Sequence, residues 1–249
     1  MKRPSQLVRE LMDHLPYTIF FGSAGVLFAG LLTYFAAVVD VQHAAAALAS
    51  GPAANAAAHV AGHEHELFSG ETVEKVSPIV FHVFHPVHLL FSAIATTAMF
   101  WRYDRKLWKA LLTGFVGSAG VCGVSDIGLP YLGGWLLGTR MKFHWCLVQH
   151  PQLVVPFLVV GIIAGIIAGE SIERSTVYSH SSHVFVSSVA SIFYMISFGL
   201  THWVDQVGYV FIIIVLAVLL PCCFSDIVFP LLIARRDEYL AAQAQRHGH

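Results

Sequence analysis

Two short patterns in the chain hold residues able to do chemistry, and each occurs twice. His85-Pro86-Val87-His88 is matched 95 residues later by His180-Ser181-Ser182-His183. Ser125-Asp126-Ile127-Gly128-Leu129-Pro130 is matched 100 residues later by Ser225-Asp226-Ile227-Val228-Phe229-Pro230. Histidines three apart share one helix face, so each pair presents two imidazoles side by side. Two neutral nitrogens and one carboxylate suit a borderline divalent cation such as zinc, iron(II), manganese or cobalt, as bound ion or as cargo. The expected ligands are His85, His88 and Asp126 in an outer set and His180, His183 and Asp226 in an inner set. Three ligands leave a position for water, or for Cys122 or Cys222, which also stand 100 residues apart. Ser125 and Ser225 are the expected outer-shell donors to the carboxylates. No residue is assigned a catalytic role.

Other histidines carry weaker signals. His82 lies one helical turn above His85 and extends the outer set. His144 and His150, with Trp145 and Cys146 between them, read as a polar and aromatic belt at a membrane interface. His202, His14, His247 and His249 fall in short loops or terminal segments. Residues 41–78 are alanine-rich and then carry His59, His63, Glu64, His65 and Glu66, either as a flexible spacer or as a weak metal trap.

Elements able to position these residues must be membrane helices. The chain has 249 residues, of which 56% are apolar or aromatic and 12% charged. A soluble domain carries about 25% charged residues. With a mean hydropathy of +0.68 and a net charge of -1, a soluble enzyme, a nucleic-acid binder and a disordered chain are excluded. Cys122, Cys146, Cys222 and Cys223 lie in or beside apolar segments, which argues against a disulfide framework. No GxxxxGK[ST] motif is present, so ATP hydrolysis is not expected of this chain.

Six apolar stretches, near 16–39, 79–101, 108–136, 151–169, 182–200 and 207–234, are long enough to cross about 30 Å of hydrocarbon. The first reads as a retained helix rather than a signal peptide. The third is glycine-rich and is expected to be broken or partly re-entrant. With the N-terminus in the cytoplasm, 11 Lys and Arg fall on inside segments and 3 outside, so both termini face the cytoplasm of a bacterial inner membrane. Trp101, Trp108, Trp145 and Trp203 stand at span ends as interface anchors.

A third block joins the two above. Pro16 and Ala29-Gly30-Leu31-Leu32 match Pro151 and Ala164-Gly165-Ile166-Ile167 at an offset of 135. Three blocks in one order imply a duplicated three-helix unit, and an odd number of helices inverts the second copy. The expectation is an all-α integral membrane protein with six transmembrane helices in two inverted three-helix repeats. Its parts are a cytoplasmic N-terminus (1–15), repeat 1 (16–136), an outer linker (137–150), repeat 2 (151–234) and a cytoplasmic tail (235–249). Small residues on the first helix of each repeat place those two helices at the central interface, with the His/Asp helices beside them. Helix rise puts the outer set roughly 20–25 Å from the inner end and the inner set toward the other side, giving two separate clusters.

Secondary transporters are built on inverted repeats of this kind. The expected function is passage of a divalent transition-metal cation, driven by a gradient, with protons competing at the histidines. Expected partners are the bilayer, the cation and protons, with a homo-oligomer or a larger membrane complex left open and nucleic acid excluded. One alternative is a membrane-embedded metalloenzyme of the di-iron hydroxylase type, against which stands the absence of any adjacent His-His pair. The other is a b-type haem subunit of a redox complex, which needs histidines from two helices at one depth.

Overall fold

In a computed structural model of the chain, the described residues are 6–50, 71–168, 176–225, 229–230 and 232–233. Side chains are described for 12, 15–43, 72–168, 182–222, 224–225, 229–230 and 232–233. Asp226 and the side chain of His180, two of the six expected ligands, lie outside the described residues, as do His59, His63, Glu64, His65 and Glu66. Helix α1 is Gln6–Ser50, α2 is Glu71–Tyr103, α3 is Leu107–Leu136, α4 is the short turn Cys146–Gln149 and α5 is Pro151–Ala168. Helix α6 is Thr176–Ser197, and a single 3-10 turn, Trp203–Gln206, leads into α7, Val207–Cys223. No strand occurs among the described residues.

Five of these segments are long and apolar enough to cross a membrane: Leu15–His43, Thr72–Tyr103, Leu107–Leu136, Pro151–Ala168 and Trp203–Cys222. The chain is a membrane protein on that basis. The sixth expected span, near 182–200, is represented by the shorter apolar stretch Ser182–Ser197 within α6. The helix itself runs from Thr176 to Ser197, and its packing differs from that of its neighbours. From His183 to Ile196 every described side chain except Phe185 is buried, including Ser187, Ser188 and Ser191. This helix meets protein on all sides, so it needs no lipid-facing apolar stripe. By contrast α1, α5 and α7 expose Leu27, Leu31, Val160, Ile167, Ile212 and Leu216.

The helices also extend beyond the expected limits. Helix α1 continues to Ser50 and α2 begins at Glu71, so both ends of the 41–78 segment are helical. Asp40 ties them together by accepting hydrogen bonds from the Thr72 amide (3.1 Å) and hydroxyl. The earlier start of α2 moves His85 and His88 from the start of a helix to its middle.

Helix α3 is continuous from Leu107 to Leu136, which corrects the expectation that its glycines break it. Its irregularity takes another form: Val116–Cys122 and Val124–Gly128 are π-helical. A π segment widens the helix by one residue per turn and is common at functional sites. Pro130 lies two residues beyond the second of these segments and brings no N–H to the helix there.

Small residues set the helix packing, as expected, but against different partners. A Cβ at Gly161 would lie 2.7 Å from the Leu90 carbonyl, and one at Gly165 would lie 2.7 Å from the Ile94 carbonyl, so α5 presses on α2. A Cβ at Gly25 would lie 2.8 Å from Ser188 Cβ, so α1 presses on α6. The centre of the bundle is therefore the α2–α6 contact, and the first helices flank it. The close approach serves lipid-embedded packing, where van der Waals contact and polar pairing replace the hydrophobic effect.

The 137–150 segment is pinned rather than loose. Gly138 (φ 80°) turns the chain out of α3. The Lys142 amide donates to the Phe198 carbonyl (2.7 Å), and Trp145 fills the space over Gly123. Trp203 also departs from expectation: it is buried rather than anchored at an interface.

Candidate metal centre

Midway along α2, His85 and His88 face Asp126 from the π segment of α3. The Nδ1–H of His85 and the Nδ1–H of His88 both donate to Asp126 Oδ2, at 2.8 and 2.7 Å. The other carboxylate oxygen accepts from Ser187 Oγ of α6 at 2.8 Å. All four side chains are sealed from solvent. A carboxylate at Nδ1 fixes the tautomer, leaving Nε2 of His88 with its lone pair directed away from Asp126. That nitrogen lies 3.0 Å from His183 Nε2 on α6 and 3.7 Å from Cys222 Sγ on α7. Cys122 Sγ belongs to the same group, within 4.8 Å of the His88 and His183 nitrogens. Cys222 also hydrogen-bonds His183 and Cys122.

The spacing suits a metal. Around a tetrahedral zinc, two nitrogens stand about 3.3 Å apart, and a nitrogen and a sulfur about 3.6 Å. The His88–His183 separation of 3.0 Å lies close to the first value, and Cys222, which stands outside the His88, Cys122 and His183 group, lies 3.7 Å from His88 Nε2. Two thiolates and two neutral imidazoles would also cancel the charge of a divalent ion, which matters in a dry interior. Asp126 faces the two Nδ1 atoms and Ser187, and stands apart from the His88, Cys122 and His183 group. Ser125 plays no direct part in holding the carboxylate: its hydroxyl meets Ser187 Oγ at 3.1 Å, and Ser187 makes the bond.

Where both expected sets are described, they meet. His183, from the inner set, touches His88, from the outer set, at the middle of the bundle. The α2 extension is the reason: counted from its real ends, His88 sits near mid-span.

The contacts around this centre come in matched pairs. Ser92 Oγ meets Ser225 Oγ at 3.4 Å, and Ser187, 95 residues after Ser92, meets Ser125, 100 residues before Ser225, at 3.1 Å. The Thr96 hydroxyl donates to the Ser225 carbonyl at 3.3 Å, and the Ser191 hydroxyl donates to the Ser125 carbonyl at 3.3 Å. Cys122 Sγ lies 3.0 Å from Ser92 Oγ, and Cys222 Sγ lies 3.9 Å from Ser187 Oγ. The Ser225 hydroxyl donates to the Gly117 carbonyl in the other π segment at 2.9 Å.

A second group lies toward the 137–150 end of the bundle. His82 Nε2 stands 3.3 Å from His144 Nε2, and the His150 ring centroid lies 5.0 and 5.3 Å from those of His82 and His144. One ligand atom from each of the three falls within 4.8 Å of the others. Sequence reasoning assigned His144 and His150 to an interfacial belt. The signal that could have joined them to His82 was the turn of helix between His82 and His85. What it lacked was the fold of the 137–150 segment back over α2. Burial, and then the His82, His150 and His85 imidazoles, hold His144 down to about 4. Burial pushes the Cys146 thiol up to about 11, which keeps it protonated.

Fold and site together define an all-helical membrane protein with buried His, Cys and Asp groups able to hold a metal ion. No protein-family profile, curated protein sequence or solved structure matches this chain.

Proposed function

We propose that the chain is a transporter that passes a divalent transition-metal cation through the His88, His183, Cys122 and Cys222 centre, at the interface of two inverted three-helix repeats. The observation that carries this reading is the matched contacts. Ser92 with Ser225 answers Ser187 with Ser125, and Thr96 with Ser225 answers Ser191 with Ser125. His88 and His183, themselves a repeat pair, meet each other. Such an arrangement is what a two-fold axis between the Nε2 atoms produces. It supports six crossings, with α6 as the buried fifth. Substrate sites of inverted-repeat carriers lie at that interface, near the bilayer midplane.

The cation is cargo. It takes the His88 and His183 Nε2 lone pairs and the two thiolates, and the thiols must lose their protons first. Proton release on loading ties metal movement to a proton gradient. The hydrogen-bonded row His85, Asp126, His88, His183 offers those protons a path. In the present conformation the centre is closed to solvent, so release requires the two halves to part around it. The positive-inside distribution supports a cytoplasmic location for both termini.

Zinc uptake into proteoliposomes carrying an internal zinc dye tests the reading. Uptake is expected with the parent chain, and a loss of about 10-fold or more is expected in Asp126→Asn, which changes the His88 tautomer without removing a ligand. Equal uptake by parent, Asp126→Asn and empty vesicles would overturn it.

A further inference from the structure

Three imidazoles from three segments converge where the 137–150 segment crosses α2, and the centre described above uses none of them. His82 comes from α2, His144 from the segment leading into α4, and His150 from the junction of α4 and α5. The His82 ring is oriented by its backbone. Its Nδ1–H donates to the Pro78 carbonyl at 2.6 Å. A carbonyl only accepts, so Nδ1 carries the proton and Nε2 carries the lone pair. That lone pair is aimed at His144 Nε2, 3.3 Å away.

The surroundings hold this arrangement in place. The His144 ring stacks on Phe198 at 4.5 Å with an interplanar angle of 14°, and its backbone amide donates to Tyr194 Oη at 3.1 Å. The Phe81 ring lies edge-on to both His82 and His144. His150 is fixed through its amide, which donates to the Cys146 carbonyl at 2.8 Å. All three histidines are half-buried, so water and ions reach them.

We infer that His82, His144 and His150 form a second metal site, a three-imidazole cradle for a borderline divalent ion of the zinc class. Two imidazole nitrogens on one tetrahedral ion stand about 3.3 Å apart, the separation between His82 and His144. Three neutral nitrogens favour zinc, copper, nickel or cobalt over magnesium or calcium, which take oxygen. The fourth position is left to water, as in open three-histidine sites. No thiol joins this set, which distinguishes it from the centre. The site stands on its own geometry and does not depend on transport. His82, His85 and His88 nevertheless follow one another at three-residue steps along α2, about 9 Å from first to last. An ion held at the rim is therefore one short displacement from the centre.

Calorimetric titration of zinc into the chelator-stripped, detergent-solubilised full chain tests this, beside His144→Gln and His150→Gln. Each variant is expected to bind one zinc equivalent fewer than the parent, with the histidines of the 51–70 segment present in all three. Equal stoichiometry in parent and variants would overturn the site. His150→Gln guards against a folding defect, because its described ring contacts are to His82 and His144 alone. Cobalt absorption separates the two sites. In Cys122→Ser/Cys222→Ser a tetrahedral cobalt band without thiolate charge transfer is expected to persist and to vanish on adding His150→Gln. A band insensitive to His150→Gln would count against the rim site, whereas thiolate charge transfer missing from the parent would count against the centre alone.

Discussion

The centre and the rim use the same side chain in opposite surroundings. At the centre, His88 is buried, its Nδ1 faces a carboxylate, and thiols lie beside its Nε2. At the rim, His82 is half-buried, its Nδ1 faces a backbone carbonyl, and only imidazoles surround its Nε2. Both devices fix the tautomer, and they differ in cost. A buried carboxylate is stable only while its donors remain, whereas a backbone carbonyl is neutral and already part of a helix. The centre should therefore be intolerant of change and the rim permissive. The anionic shell at the centre should hold an ion more tightly than the neutral one at the rim.

The largest effect is expected where that contrast is sharpest. Asp126→Ala strands two imidazole N–H groups in a dry interior, at about 1–3 kcal/mol for each stranded donor, while Ser187 keeps Ser125 Oγ as a partner. A large fall in thermal midpoint is expected in detergent, against a change under about 1 kcal/mol for His150→Gln. Equal midpoints for the two would erase the distinction between the sites.

Next comes the packing that holds the centre together. Gly165→Leu drives a side chain into the Ile94 carbonyl and Thr97 Cβ, which would lie 2.7 and 2.9 Å from a new Cβ. Separation of α5 from α2 should cost about 1–3 kcal/mol. Gly120→Ala, which meets nothing within 4 Å, should be nearly silent. Thermal unfolding of the pair distinguishes a tight helix contact from mere tolerance of glycine.

A smaller effect is expected in ion preference. Cys122→Ser/Cys222→Ser replaces soft ligands with hard ones, so competition between zinc and manganese in the uptake assay should move toward manganese. An unchanged preference would mean that the thiols do not touch the ion.

The smallest effect concerns pH. His144 titrates at about 4 in the folded chain against an ordinary 6.5, because of burial and the His82, His150 and His85 imidazoles around it. Below 6.5 the unfolded chain takes up this proton first, so stability falls as pH drops from 6.5 toward 4 and is level above. In metal-free protein the thermal midpoint should decline across that window, and less steeply in His144→Gln. Parallel slopes would show that His144 is not sheltered.

Much of the centre was legible in the sequence because repetition exposed it. The offsets of 95 and 100 residues drew attention to His88, His183, Ser125 and Cys122 without any knowledge of their distances. Depth was not legible, because it was counted from the apparent end of an apolar stretch. The polar turns of α2 before residue 79 are helical in fact, and they moved His88 to mid-span. The hydrogen bonds of Asp126 to both imidazole Nδ1 atoms were not legible either. Which imidazole nitrogen faces the carboxylate depends on helix rotation, which no spacing reveals. That α6 is the buried helix was not legible, because an apolar stretch does not show which of its faces meet protein. The rim was the least legible part, since His144 and His150 reach His82 through a turn pinned by Gly138, Lys142 and Trp145.

The most direct test of the two-half centre is zinc X-ray absorption on the His144→Gln/His150→Gln protein loaded with one equivalent. Removing the rim leaves the centre as the built site. Two sulfurs at about 2.3 Å and two imidazole nitrogens at about 2.0–2.1 Å are expected, the sulfurs supplied by Cys122 and Cys222 and lost in their serine variants. A shell of nitrogen and oxygen alone would contradict that expectation.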